Sequence, residues 1–196
     1  MGDGIVVKEL PLPKSVSARL HDVLGMRRSV RQLGGPPLTE EELATLLFAT
    51  QGVTGPDGQR TAPSAGATYP LELYVVTKEG CGRYEPRRHA LVFAATHDLS
   101  KPLARAALGQ ACVEEAPATF VLTAVMERTR ARYGARAERY VWLEAGHAAQ
   151  NLLLEAVGLG LGAVAIGAFH DDEVRRILGL PPNEDPLYLI PVGRPR

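Results

Sequence analysis

Cysteine is almost missing from this chain: Cys81 and Cys112 stand alone among 196 residues. Two thiols are too few for a disulfide framework and lack metal-ligand spacing, so both are read as free thiols, with no metal site expected. Lysine is scarce too, confined to Lys8, Lys14, Lys78 and Lys101. Net charge is lacking, since 22 basic residues cancel 22 acidic ones, and without it no overall field draws in nucleic acid or an anionic membrane surface. Long apolar runs are lacking as well. Glycine and charged residues interrupt even the stretch 152–168, and no basic segment followed by an apolar one opens the sequence. The expectation is a soluble, cytoplasmic protein with neither a nucleic-acid nor a membrane partner.

Hydrophobic residues make up 45% and charged residues 22%, an ordinary globular composition at a length that supports one sizeable core. Arginine supplies nearly all the positive charge. Its fork-shaped donors suit phosphate and carbonyl oxygens, although GC-rich coding or adaptation to heat produces the same bias.

Residues 1–14, with Pro11 and Pro13, read as an extended arm, and 15–196 as a single domain. A helix is expected over 15–28, after which Gly34, Gly35, Pro36 and Pro37 stop regular structure. Thr39 and Glu42 make a capping box for a helix reaching about Gln51. Residues 52–70 are rich in Gly, Pro, Ser, Thr and Ala and read as a long loop, a kind that in compact domains is functional or disordered. A strand at 71–77 and a hairpin pairing 83–86 with 90–94 follow. Asp98 could cap a helix reaching Gly109.

The run 119–126 is apolar and of strand length, so it belongs at the centre of a sheet. A long helix is expected over 135–157, with Ala145, Ala148, Ala149, Leu152, Leu153 and Ala156 along one side. A short strand at 163–167, a helix from a cap at Asp171 to Gly179, and a strand at 187–192 complete the order. Strands and helices do not alternate strictly, which favours an α+β sheet flanked by helices over a doubly wound one.

Three separated segments could carry chemistry. Arg27, Arg28, Ser29, Val30 and Arg31 crowd three guanidiniums and a hydroxyl into five residues, which suits an anion; a solvated basic helix end accounts for them as well. Pro63, Ser64, Ala65, Gly66, Ala67, Thr68, Tyr69 and Pro70 would let a flat ligand lie against the backbone, or form an ordinary loop. In the third segment Gly158, Gly160 and Gly162 alternate, yet they end a helix and open a strand. A dinucleotide-binding motif needs the reverse order, which argues against a Rossmann site.

Together these segments resemble the nitroreductase-like flavoprotein family from Arg27 to Arg194. Arg27 to Arg31 matches the family's opening motif, and Gln150-Asn151 within a long helix before the glycine-rich turn matches its central region. The stretches PSAGATYPLELYVV, EAGHAAQNLLLEAVGLG and LYLIPVGRP are similar to the SagB-type branch, whose best-known members oxidise peptide azolines. The resemblance implies a mostly antiparallel or mixed central sheet, an intertwined homodimer, and FMN held noncovalently between subunits, with NAD(P)H or the substrate itself as electron donor in a ping-pong reaction.

By the same resemblance, Arg27, Ser29, Arg31 and Arg194 would meet the FMN phosphate and the pyrimidine edge of its ring, with Arg28 joining them or pointing elsewhere. Pro63, Ser64, Ala65 and Gly66 would come from the partner and lie along the ring. Ala165, Ile166 and Gly167 would present backbone amides near its reactive nitrogen, and Tyr133 is the candidate proton donor or acceptor. Classical members carry asparagine where this chain has Ala67 and Thr68, so their substrate range does not transfer. Substrates in view are small molecules or peptide azolines, and a non-catalytic flavin-binding or accessory module is the alternative.

Other residues have plainer expectations. His147 could relay protons with Glu144, although a core histidine bonded to backbone is the simpler expectation. Tyr140 and Trp142 read as core or interface aromatics. The charged stretch 127–139 reads as a solvated helix face or a mobile lid. His170, Asp171 and Asp172 lack a fourth ligand and are not read as a metal site.

Overall fold

The apolar run near residue 120 becomes the middle of the sheet. In the computed structural model, which describes residues 6–196, β6 (Ala118–Ala124) is buried at every position. Its neighbours on either side, β3 (Leu71–Thr77) and β8 (Asp185–Pro195), both pair with it antiparallel. Outward from β3 lie β4 (Gly80–Glu85), β5 (Ala90–Ala95) and β1 (Val7–Glu9). Outward from β8 lies β2 (Leu33–Gly34), and β7 (Gly162–Ala163) pairs with β8 off that path. The result is one open, eight-stranded antiparallel sheet in the order β1-β5-β4-β3-β6-β8-β2, flanked by helices in the expected α+β class.

The two faces follow from period-two alternation. Leu71, Leu73 and Val75 of β3, with Phe120 and Leu122 of β6, point into one core. There they meet Leu46 and Leu47 of α2 (Glu40–Gln51) and Val141, Ala145, Ala148 and Leu152 of α6 (Ala137–Gly158). Tyr74, Val76, Val121 and Leu189 face the other way. They pack on Leu103 of α3 (Ser100–Ala106), Val113 of α4 (Ala111–Glu115) and Val174 of α7 (Asp171–Leu178).

Local chemistry sets most boundaries. The capping box forms: the Glu42 amide donates to the Thr39 hydroxyl at 3.1 Å, and the Thr39 amide to the Glu42 carboxylate at 2.9 Å. Gly179, in the left-handed region, ends α7 as a C-cap. The first helix, α1, covers only Leu20–Met26, shorter than the expected 15–28. The segment before it stays extended because the Lys14 amide donates to Thr45 Oγ1 of α2 at 2.8 Å, while Val16 fills the space above Gly158.

The structure departs elsewhere from expectation. Within residues 1–14, the first five lie outside the described residues, and Val7–Glu9 joins the sheet as its edge strand β1. Gly34 does not stop regular structure, because it pairs with Arg194 in β2. Asp98 accepts the Ser100 amide at 2.8 Å, but Leu99 holds the N-cap position, and the helix ends at Ala106 rather than Gly109, since Leu108 and Gly109 take positive φ. Asp171 is not a cap: His170 holds that position without a side-chain bond, and Asp171 stands in an acidic first turn. The strand expected at 163–167 is only Gly162–Ala163, with Ile166 rejoining Leu189 as an isolated bridge.

Candidate cofactor site

Three segments of the chain surround α6, and each is held by a different device. The first runs from the end of α1. The Arg27 amide closes that helix on the Val23 carbonyl at 2.9 Å, and Arg28 folds back to donate to the carbonyls of Gly25 and Arg27. Arg28 thereby serves the negative end of the helix. Ser29 then lies beside Ala163 in a parallel bridge, and the Val30 amide donates to the Ala163 carbonyl at 3.0 Å. Among the described residues no carboxylate pairs with Arg27 or Arg31, and no side chain engages the Ser29 hydroxyl. Arg31 lies close enough to Cys112 to oppose the burial that pushes that thiol up.

Arg194 sits close in the sheet but turns toward α2. Its Nη2 donates to Glu42 Oε1 at 2.8 Å, while Nη1 is buried with no acceptor. Gly35, at φ +92°, makes this passage possible, since a Cβ there would stand 3.2 Å from Arg194 Cβ. The structure therefore places Ser29 beside β7, and β7 beside Val192 and Gly193 of β8, next in sequence to Arg194. It commits part of the Arg194 guanidinium to Glu42.

The second segment is the turn holding Pro63, Ser64, Ala65 and Gly66. A short 3-10 turn at Ala65–Ala67 contains Gly66 at φ 58°, and Ser64 Oγ accepts the Tyr69 amide at 2.9 Å. The charged stretch after β6 holds the turn in place. Its first part forms α5 (Met126–Tyr133), a helix with only Thr129 buried, so the helix-face expectation describes that part, while Gly134–Arg136 is a 3-10 turn and the remainder opens α6. Thr129 and Thr68 share a hydroxyl hydrogen bond of 2.9 Å, Arg132 Nη1 donates to the Gly66 carbonyl at 3.0 Å, and Arg128 Nη1 to the Tyr69 carbonyl at 3.1 Å. Tyr133 stacks edge-on against Tyr140 with ring centroids 5.0 Å apart. Its hydroxyl lies over Gly66, where a Cβ would come within 2.5 Å of it.

The third segment follows α6. The Leu161 amide reaches back to the Ala156 carbonyl at 2.8 Å, and Gly160, at positive φ, makes the turn into β7. Ile166 exchanges both backbone hydrogen bonds with Leu189, at 2.8 and 3.0 Å. Its amide is therefore taken and cannot be one of the three expected to face a ligand. The amides of Ala165 and Gly167 are given to no other group among the described residues, and Gly167 is exposed.

Two clefts flank the outer side of α6. One, of about 270 Å³, is lined by Pro63, Ser64, Ala65, Tyr140, Leu143, Glu144 and His147. The other, of about 420 Å³, includes Trp142, Ala145, Gly167, Phe169 and Tyr188. Between them Trp142 is 58% exposed and Leu143 52%, so Trp142 is not a core residue of this chain. His147 is exposed as well. It is no core histidine, because its position falls one step off the buried stripe of Val141, Ala145, Ala148 and Leu152. Glu144, by contrast, falls on that stripe. Burial pushes its carboxyl up to about 7, against the opposing pull of the Ser64 hydroxyl and Arg60. A carboxylate on an apolar stripe was the sequence signal for it, visible in the helical spacing alone.

The sequence pattern of the Nitroreductase family matches residues 24–194, from within α1 to the end of β8. The chain belongs to the nitroreductase family. A nitroreductase-like protein of Methanocaldococcus jannaschii is 47% identical over 200 residues, covering 99% of this chain and 98% of that protein. The crystal structure of a nitroreductase-like protein of Ralstonia eutropha superposes with a TM-score of 0.87 at 29% identity, over 97% of this chain and 90% of the other. An NADPH:FMN oxidoreductase of Vibrio harveyi, solved with NAD+, gives a TM-score of 0.67 at 24% identity, over 90% and 68%; that likeness concerns the fold. Membership of the nitroreductase family brings the general class, an oxidoreductase. Among the described residues no helix is long and apolar enough to cross a membrane, and no cluster of three or more potential metal ligands occurs.

Proposed function

We propose that this nitroreductase-family chain is an FMN-dependent oxidoreductase that works as a homodimer, with each flavin held between two copies. One observation carries the proposal. The Pro63–Ala65 turn meets α6 near Glu144, whereas the arginine segment lies just past the C-terminal end of α6, where Val30 stands over Gly162 and Ser29 bridges Ala163. The stretch from Glu144 to the end of α6 rises roughly 20 Å, so the turn and the arginines are held well apart along one helix, whose outer side exposes Trp142 and Leu143 beside Glu138, Arg139 and His147. A second copy, paired by a two-fold axis along that face, brings the turn of one chain to the arginines of the other.

The residues fit an anionic, flat cofactor. Arg27, Ser29 and Arg31 would hold the phosphate, since their donors have no competing carboxylate within the described chain. The unpartnered, buried Nη1 of Arg194 supplies a further fixed donor on that side. Gly167 and Ala165 would offer backbone amides, and the small residues Ser64, Ala65 and Gly66 a flat wall. When bound, FMN supplies reversible acceptance and release of a hydride. The chain's own part is to anchor the phosphate, fix donors before any substrate arrives, and leave one side of the site open. Tyr133, with its hydroxyl above Gly66, is the group we assign to hand over or take up a proton.

Within the family we assign the chain to the SagB-type dehydrogenases, on the three stretches that resemble that branch. Its substrate would then be a small molecule or a peptide azoline. The name of the Vibrio harveyi neighbour suggests NADPH, beside NADH, as the first donor to try.

The decisive experiment is an absorbance spectrum of the purified protein, followed by FMN titration of the wild type, R27A and R31A. Yellow protein is expected, and each variant should bind FMN about 10- to 100-fold more weakly, as for loss of a charge-assisted phosphate contact of about 1.5–3 kcal/mol. Colourless protein that takes up no FMN refutes the proposal. Flavin that neither NADH, NADPH nor an azoline peptide bleaches in stopped-flow mixing would leave a binding module without turnover.

A further inference from the structure

Among the described residues two carboxylates are almost fully buried, Glu144 and Glu184, each 3% exposed. Glu184 accepts the Thr123 hydroxyl. Glu144 is different: its Oε1 is buried with no partner, and the groups near its carboxyl are the Ser64 hydroxyl and the Arg60 guanidinium. Ser64 Oγ in turn accepts the Tyr69 amide at 2.9 Å. A single acidic side chain therefore backs the turn from the α6 side, while α5 holds the same turn from the other through Thr129, Arg132 and Arg128.

We propose that Glu144 is a positioning residue with two settings, a neutral acid and a carboxylate facing Arg60, and that the setting alters how Ser64 holds the Pro63–Gly66 turn. The inference builds on the proposed flavin site, because that turn is the wall assigned to the cofactor. Burial brings the carboxyl to about 7, so both settings are populated near neutrality. As a carboxylate Glu144 is the stronger acceptor and draws the Ser64 hydroxyl toward α6; as an acid it accepts weakly and relaxes that hold.

The surrounding charges bear on this balance. Arg60, from the loop, already donates to Gln51 Oε1 at 2.6 Å and stacks over Tyr69 at 4.8 Å. Its positive charge is shared between Glu144 and Glu72 of β3, and Arg128 of α5 pairs with Glu72 at 2.5 Å. On its own helix Glu144 shares the cleft with Tyr140 and His147. Arg60 is therefore the facing cation, and its divided engagement leaves the acid form accessible.

The test follows the Tyr69 amide resonance of nitrogen-15-labelled protein, as purified, from about pH 5.5 to about pH 8.5. In the wild type the resonance should move with a midpoint near 7. In E144Q the movement should be lost, and in H147N, which removes the imidazole of the cleft, it should persist. A resonance that stays still in the wild type, or moves alike in E144Q, overturns the proposal; so does its loss in H147N. Should E144Q not fold, the wild type and H147N still decide. FMN titration of the same proteins separates the two readings: failure of all of them to bind FMN removes the flavin site, while the Tyr69 resonance alone judges Glu144.

Discussion

Replacing Trp142 by alanine tests the two-copy site directly. The side chain is 58% exposed in the single chain, and a symmetric pairing along α6 must cover it. A tryptophan offers roughly 200 Å² for burial, so about 120 Å² remains for a partner to cover. At about 25 cal/mol per Å² this is about 3 kcal/mol per copy. Two-fold symmetry counts it twice, giving about 6 kcal/mol and about four powers of ten in the dimer dissociation constant. W142A should therefore dissociate at concentrations where the wild type is wholly dimeric, as measured by sedimentation equilibrium over a dilution series. The isolated chain should lose no more than about 0.5 kcal/mol, because the residue is exposed there, and urea unfolding checks that half of the argument. A W142A dimer constant equal to that of the wild type, or a wild type monomeric at every concentration, would refute the reasoning.

Two other predictions concern the turn and its carboxylate. G66A forces a side chain onto φ 58° and sets a Cβ 2.5 Å from the Tyr133 hydroxyl. The backbone cost alone is about 1–2 kcal/mol, a fall in Tm of about 2–8 °C at this size; G66A/Y133F should regain part of it, and equal melting of the single and double variants would show that the hydroxyl is not in the way. Glu144 holds a proton in the folded chain up to about 7, where an ordinary glutamate releases it near 4.5. The folded state binds more protons between those values, so stability declines as pH rises through that window, by about 3 kcal/mol in total, and is level above it. E144Q should lack that decline when urea unfolding is compared at about pH 5 and about pH 8; an equal decline in both would assign it to other groups.

The parts of the fold that were legible in the sequence are those whose pattern is local. Thr39 and Glu42 sit three apart and cap α2 whatever lies around them. The apolar run of β6 pointed to a central strand, and the small residues along one side of α6 to a face on which another helix packs close. Elements set by distant partners were not legible. β2 is two residues long and exists because Arg194 and Pro195 lie beside it. α4 has five residues and no side-chain cap, and Lys14 and Val16, through their contacts with α2 and α6, shorten α1 from its N-terminal end. At the candidate site, the residue types of all three segments stood in the sequence, but which donors were spoken for did not. The Ile166 amide is consumed by Leu189, and half of Arg194 by Glu42; both facts depend on a strand register that no single segment encodes.

The bridge between Ser29 and Ala163 has a kinetic corollary. The proposed cofactor pocket, with walls so remote along the polypeptide, would require large loops to close before any donor is in place, and such closures come late in folding. A mononucleotide or inorganic phosphate added during refolding would find nothing to grip in the early, partly collapsed chain. Such an anion should leave the refolding rate untouched and act as a brake on unfolding alone.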